Sequence, residues 1–168
     1  MDSVENPGYN IRPGKREDAA DAARLWVRSA EEHASYDPVY TVSNQAENTM
    51  RRFLADLTSS SHTFLFVAEY PGEGQEETIG FISGELREGS PTFNPKTWAS
   101  VDDVYVAPEH RSRGIGGSLV ERVKEWSKEK GASGVSLQVA AANERGRSFY
   151  QDLGFREVSV YEVLEITD

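Results

Sequence analysis

One stretch constrains the architecture more than any other: VDDVYVAPEHRSRGIGGSLVERVKEW, residues 101–126. Residues 98–107 read as a strand, and residues 114–130 as a helix with Ile115, Leu119, Val120, Val123 and Trp126 on its buried stripe. Glu121/Lys124 and Glu125/Lys128 are spaced to pair on the outer side of that helix. Between the two lie Pro108, the basic side chains of His110, Arg111 and Arg113, and the glycines 114, 116 and 117. The first N–H groups of a helix have no intrahelical acceptor, and the helix dipole adds partial positive charge there. Gly114, Gly116 and Gly117 carry no Cβ to hold an anion off, and Arg111 and Arg113 add charged donors. The corner reads as a pyrophosphate cradle. A glycine-rich strand–helix corner with incidental arginines is the plainer alternative.

The remaining segments alternate in type. YNIRP (residues 9–13) reads as an opening strand. Residues 16–34 form a predicted helix with Ala22, Leu25, Trp26, Ser29 and Ala30 on one face, and with Glu17, Asp18 and Asp21 in the first turn. A second helix is predicted over 45–57, with Met50, Phe53, Leu54 and Leu57 at helical spacing. Strands 63–70 and 78–88, joined by the turn PGEGQEE, make a hairpin. A strand at 134–140, a helix at 143–153 and the extended run FREVSVYEVLEI complete the chain. No repeat, linker or low-complexity segment interrupts it, so residues 9–166 are expected to form a single domain.

Composition removes whole classes of function. Hydrophobic residues at 38% and charged ones at 27% place the chain with globular rather than disordered proteins. The absence of cysteine excludes disulfides, Cys-based zinc sites and a cysteine nucleophile. Three histidines without motif spacing (His33, His62 and His110) argue against a metal. No apolar leader or run of membrane-spanning length occurs, which predicts a soluble, cytoplasmic protein. A net charge of −10 argues against nucleic acid and favours cationic partners. The excess of Arg over Lys (13 to 5) and of Glu over Asp (19 to 9) fits a GC-rich or salt-loving source equally well.

Three cofactor motifs compete for the glycine-rich corner. A P-loop needs a Lys after its glycines, and none is present. A dinucleotide fingerprint fails because Leu119 stands where the third glycine belongs. R-x-x-G-x-G is satisfied by Arg111, Gly114 and Gly116, and here the chain resembles the GCN5-related N-acetyltransferase (GNAT) family. NERGRSFYQDLGF (residues 143–155) is similar to the family's downstream motif: Asn143 as N-cap, an aromatic pair, then Leu-Gly-Phe with Gly154 at the left-handed C-terminal position. The motifs cover residues 101–155, and the order of elements covers nearly the whole chain.

The resemblance implies a GNAT-like α/β (α+β) fold. Its mixed, mostly antiparallel sheet has about six to seven strands, flanked by about four helices and splayed between the strands at 98–107 and 134–140. It also implies direct transfer of an acetyl group from acetyl-CoA, a co-substrate, to a primary amine in a ternary complex, with no metal. Val104, Tyr105 and Val106 would bind the pantetheine arm, and a backbone N–H of that strand would stabilise the oxyanion. Arg111, Ser112, Arg113, Gly114, Ile115, Gly116, Gly117 and Ser118 would hold the pyrophosphate. Asn143 would meet the pantetheine arm, serve only as the cap, or do both. Tyr150 would protonate the departing thiolate, or else simply pack beside Phe149. Asp102, and Asp103 close behind it, are the candidate bases for the acceptor ammonium, although a solvated or salt-bridged carboxylate is an equal reading of either. Asp102 shares a face with Val104 and Val106, and Asp103 with Tyr105.

Acceptor contacts are expected from residues 31–44, where Tyr36 and Tyr40 can line a pocket and His33 its rim. Glu31, Glu32 and Glu85 are further acidic candidates. Only residues 155–168 follow the last motif, where relatives often have two strands, so completion by a second subunit of a homodimer is expected. The competing function is a non-catalytic acyl-CoA-binding sensor.

Overall fold

A computed structural model describes residues 8–71, 76–94 and 96–166. The centre of the PGEGQEE turn therefore lies outside the described residues. The chain forms two compact units, one ending at Gln138 and the other beginning at Val139.

The first unit is a five-stranded sheet, ordered β1-β2-β3-β4-β5. β1 (Asn10–Pro13) leads through a 3-10 turn at Arg16–Asp18 into α1 (Ala19–Ala34), then through a second such turn at Pro38–Tyr40 to α2 (Ala46–Leu57). β2 (Thr63–Pro71), β3 (Glu76–Glu88) and β4 (Thr97–Val106) follow as an antiparallel meander. A third 3-10 turn, Pro108–His110, precedes α3 (Ile115–Glu129), and β5 (Gly134–Leu137) returns parallel to β4. Among the described residues five strands form rather than six or seven, and the strand expected at 134–140 ends at Leu137. The run after Phe155 is rich in β-branched residues, yet Val158, Val160, Leu164 and Ile166 are exposed and no strand forms there. Strand propensity is realised only where a neighbouring edge supplies ladder hydrogen bonds and a face to pack against.

Alternation along β2 sends Leu65 and Val67 to one face of the sheet and Phe64 and Phe66 to the other. The first face packs on α1 and α2, where Ala22, Ala23, Leu54 and Leu57 join Phe81 and Tyr105 in a core cluster. Phe53, at helical spacing with these, is 41% exposed, and Ala55 is buried in its place. The other face meets α3, whose Ile115, Leu119, Val120, Val123 and Trp126 are all buried as the sequence pattern predicts. Trp126 sits 4.9 Å from the Phe64 ring. Each such side chain buried contributes about 1.5–3 kcal/mol, which makes these two contacts the main support of the three-layer arrangement. On the outside of α3, Glu121 pairs with Lys124, but Arg122 rather than Lys128 takes Glu125.

Two features of β4 shape its surroundings. Val101 pairs with Gly84 and Asp103 with Ser83, so Asp102 is an extra residue, a β-bulge. Pairing with β5 runs only from Trp98↔Gly134 to Val101↔Leu137. From Asp102 to Val106 the β5 side of β4 has no strand partner among the described residues, which is the expected splay.

In the second unit, α4 (Glu144–Asp152) is capped by Asn143, whose side-chain oxygen accepts from the Gly146 N–H at 2.9 Å. Gly154 ends that helix at φ 89°, as the left-handed position requires.

Candidate functional site

The loop from Arg111 into α3 is built around backbone that faces no partner. Ser112 has φ 63° and Gly114 φ 82°, both left-handed. Ser118 is the first residue of the helix whose N–H finds a backbone acceptor, Gly114, at 3.0 Å. Ahead of it, the N–H groups of Ser112, Arg113, Gly114, Ile115, Gly116 and Gly117 have no acceptor among the described residues. A Cβ added at Gly117 would meet nothing within 4 Å, so space lies open above this backbone. Ile115 is buried and can offer only its main chain. The Ser118 hydroxyl is already bonded to the Tyr9 hydroxyl at 2.8 Å. Arg113 is exposed and makes no ion pair among the described residues, whereas the Arg111 guanidinium turns inward.

Arg111 donates from Nε to the Val106 carbonyl (2.8 Å) and from Nη2 to both oxygens of Glu32 on α1 (2.8 and 3.1 Å). Its guanidinium carbon stands 5.0 Å from the centre of the Tyr105 ring. The Tyr105 hydroxyl donates to the same Glu32 carboxylate at 2.6 Å. Burial alone would raise the Glu32 carboxyl, but the hydrogen bonds from Tyr105 and Arg111 outweigh it and hold it below its ordinary range. Burial first, and the Glu32 bond second, push the Tyr105 phenol up to about 12. Beside this network Arg28 forks onto Glu109 at 3.2 and 2.9 Å, drawing the Glu109 carboxyl down to about 2.

The bulge separates the two aspartates. Asp102 pairs with Arg87 at 2.8 Å. Asp103 faces α1, where Trp26 Nε1 donates to one carboxylate oxygen at 2.7 Å and the Ser83 hydroxyl to the other at 3.3 Å. Burial raises the Asp103 carboxyl, an effect the two donors reduce without cancelling. Asp102 is also raised by burial, against the pull of Arg87. At the end of α1 the His33 ring meets Tyr36 and Tyr40 edge-on, with centroids at 5.4 and 5.6 Å. Glu85 is taken by Arg87, and Glu31 is exposed.

Tyr150 belongs to the second unit, between the rings of Phe149 and Phe155 at 5.2 and 5.7 Å. Burial pushes its phenol up to about 12, which keeps it a proton donor at neutral pH. Trp26, Ser83 and the interior role of Glu32 have no signature in the sequence. Their partners lie 77, 20 and 79 residues away: the β3–β4 register brings Ser83 to Asp103, and the packing of α1 on the sheet brings in Trp26 and Glu32. Among the described residues no three His, Asp or Glu side chains gather as a metal site, and no helix is long and apolar enough to cross a membrane.

The first unit thus combines a five-stranded mixed sheet, a helix start with N–H donors left without an acceptor, and a stretch of β4 without a strand partner among the described residues. The sequence model of the acetyltransferase (GNAT) family matches residues 21–155, and the chain belongs to that family. An uncharacterized N-acetyltransferase of Archaeoglobus fulgidus is 30% identical over 145 residues, which span 85% of this chain and 91% of that one. A second, from Methanocaldococcus jannaschii, is 26% identical over 152 residues, and the match takes 90% of this chain but 62% of that protein's length. The thialysine N-epsilon-acetyltransferase of Bos taurus is 28% identical over 157 residues, 90% of this chain and 86% of that one. In fold, a mutant of the BH1408 protein of Bacillus halodurans is similar with a TM-score of 0.81, at 22% identity, over 94% of this chain and 99% of that one. A predicted acetyltransferase from Clostridium acetobutylicum, crystallised with acetyl-CoA, reaches 0.73 at 17% identity over 94% and 96%.

Proposed function

We propose that the protein transfers an acetyl group from acetyl-CoA directly to a primary amine in a ternary complex. One observation carries this: the run of unpartnered N–H groups from Ser112 to Gly117, under open space at the start of α3. A pyrophosphate needs such a cluster of donors, and an added Cβ would crowd it. Bound acetyl-CoA supplies the activated acyl group, and its presence in a fold neighbour supports the assignment. Ser112, Arg113, Gly114, Ile115, Gly116, Gly117 and Ser118 would hold the diphosphate. Val104, Tyr105 and Val106, on the strand stretch that β5 leaves unpaired, would take the pantetheine amides, with Asn143 beside its cap role.

Of the two aspartates, Asp103 is the better base, because Asp102 is neutralised by Arg87 while Asp103 is fixed at both oxygens by uncharged donors. Asp103 takes the ammonium proton, directly or through water, and the freed amine attacks. Tyr150, protonated at neutral pH, gives its phenolic proton to the departing sulfur. The His33–Tyr36–Tyr40 cluster and the charge of −10 favour a cationic acceptor, by ring faces and by field. The name of the bovine relative points to an amine on a small amino-acid side chain. The exposed apolar side chains between Val158 and Ile166 support completion of the acceptor edge by a second subunit.

The test is release of CoA in the presence of thialysine, lysine, polyamines, aminoglycosides and short peptides. Turnover with at least one amine is expected, together with a Tyr150→Phe variant that keeps acetyl-CoA affinity and loses about 10²-fold or more in kcat. Tight acetyl-CoA binding without turnover on any of them would instead leave a non-catalytic acyl-CoA sensor.

A further inference from the structure

Two ion pairs of opposite polarity join α1 to the segment that leads into the cradle. Arg28 and Glu32, four residues apart on one face of α1, reach Glu109 and Arg111, two residues apart after β4. The first pair is bidentate, at 3.2 and 2.9 Å. In the second, one nitrogen of Arg111 meets both oxygens of Glu32, and the Tyr105 hydroxyl meets the same carboxylate at 2.6 Å. Immediately after Arg111 comes Ser112, a non-glycine residue at φ 63°. A side chain in that left-handed region persists only where its surroundings over-determine it. The restraint on its N-terminal side is Arg111, held at once by Glu32, the Val106 carbonyl and the Tyr105 ring.

We infer that Arg28–Glu109 and Glu32–Arg111 form a clasp that sets the backbone geometry of the Ser112–Gly117 loop for acetyl-CoA. Arg28, Glu32 and Glu109 are then positioning residues, and Arg111 serves the diphosphate by shaping the loop rather than by touching it. The inference deepens the acetyl-CoA assignment and rests on it. Side chains of the first pair are 43% and 54% exposed, and ion pairs in such positions add little to folding stability. The Arg28–Glu109 half of the clasp should therefore show in ligand affinity more than in Tm, which separates it from a merely structural contact.

Binding of acetyl-CoA by calorimetry, with thermal melts alongside, tests it in the full chain. Glu32→Gln and Arg28→Glu should each raise the Kd by about tenfold while Tm moves by about 2 °C or less. Adding Glu109→Arg to Arg28→Glu re-forms the pair with its charges exchanged and should bring the Kd back to within about threefold of wild type. This second cycle decides the matter if Glu32→Gln does not fold. A tighter Kd in Glu32→Gln would mean that Arg111 is a ligand held back by Glu32, and it overturns the clasp. So do variants whose Kd stays at the wild-type value while the wild-type chain binds. A wild-type chain that binds no acetyl-CoA overturns the cofactor assignment itself, and the clasp with it.

Discussion

At the scale of single residues, the proposed base Asp103 sits in an environment that costs stability. Its carboxyl is raised by burial, so folding disfavours its charged form relative to the unfolded chain. The sign follows: its contribution to stability is full at low pH and is lost as pH rises through the raised folded value. Asp103→Asn keeps an oxygen for Trp26 and a group for Ser83 but carries no charge. It should melt higher than wild type at neutral pH, with the difference shrinking as pH falls through the raised value. The same variant should lose about 10²–10⁴-fold in kcat, the usual contribution of a positioned base. A neutral-pH Tm below wild type, or an unchanged rate, would return Asp103 to the status of a buried carboxylate. The sequence names this residue but ranks Asp102 ahead of it. We propose the reverse order because a bulge gives Asp102 to Arg87, and no local pattern announces a bulge that depends on the register of two strands.

At the scale of elements, two glycines divide the labour of the fold and the site. Gly84 lies at the bulge, where a Cβ would stand 2.0 Å from the Ser100 carbonyl oxygen and 2.6 Å from Phe64 Cζ. Gly84→Ala forces β3 and β4 apart and should cost about 1–3 kcal/mol, read as a lower Tm. The displaced bulge should also lower kcat more than acetyl-CoA affinity. Gly117 is the opposite case, a helical glycine with open space over it. Gly117→Ala should leave Tm unchanged or raise it, since Ala outranks Gly in a helix by about 0.5–1 kcal/mol. Acetyl-CoA binding should nevertheless weaken, and equal affinity would place the diphosphate elsewhere. The elements themselves were largely legible: the stripe on α3, the hairpin of β2 and β3, and the Asn143 cap follow from local periodicity and capping chemistry. The final strand was not, because FREVSVYEVLEI carries the propensity of a strand without an edge to pair with.

At the scale of the whole molecule, the net charge of −10 is a field rather than a contact. Screening falls from about 10 Å in 0.1 M salt to about 3 Å in 1 M. The kcat/KM for a dicationic acceptor should therefore drop with added salt more steeply than that for a monocationic one, in steady-state assays at fixed acetyl-CoA. Parallel salt curves would assign the acidic surface to something other than acceptor capture. What the sequence alone determined is the part written in local chemistry: the strand–loop–helix corner, the family and, through the family, the cofactor class. Glycine spacing, helix starts and capping residues act over a handful of positions, so they can be read in a line. Tertiary structure alone decided which carboxylate faces α1, that Arg111 is bound by Glu32 instead of lying free, and where the sheet ends. Those outcomes depend on partners 20 to 79 residues away, which meet only when the strands take their register and α1 packs on the sheet.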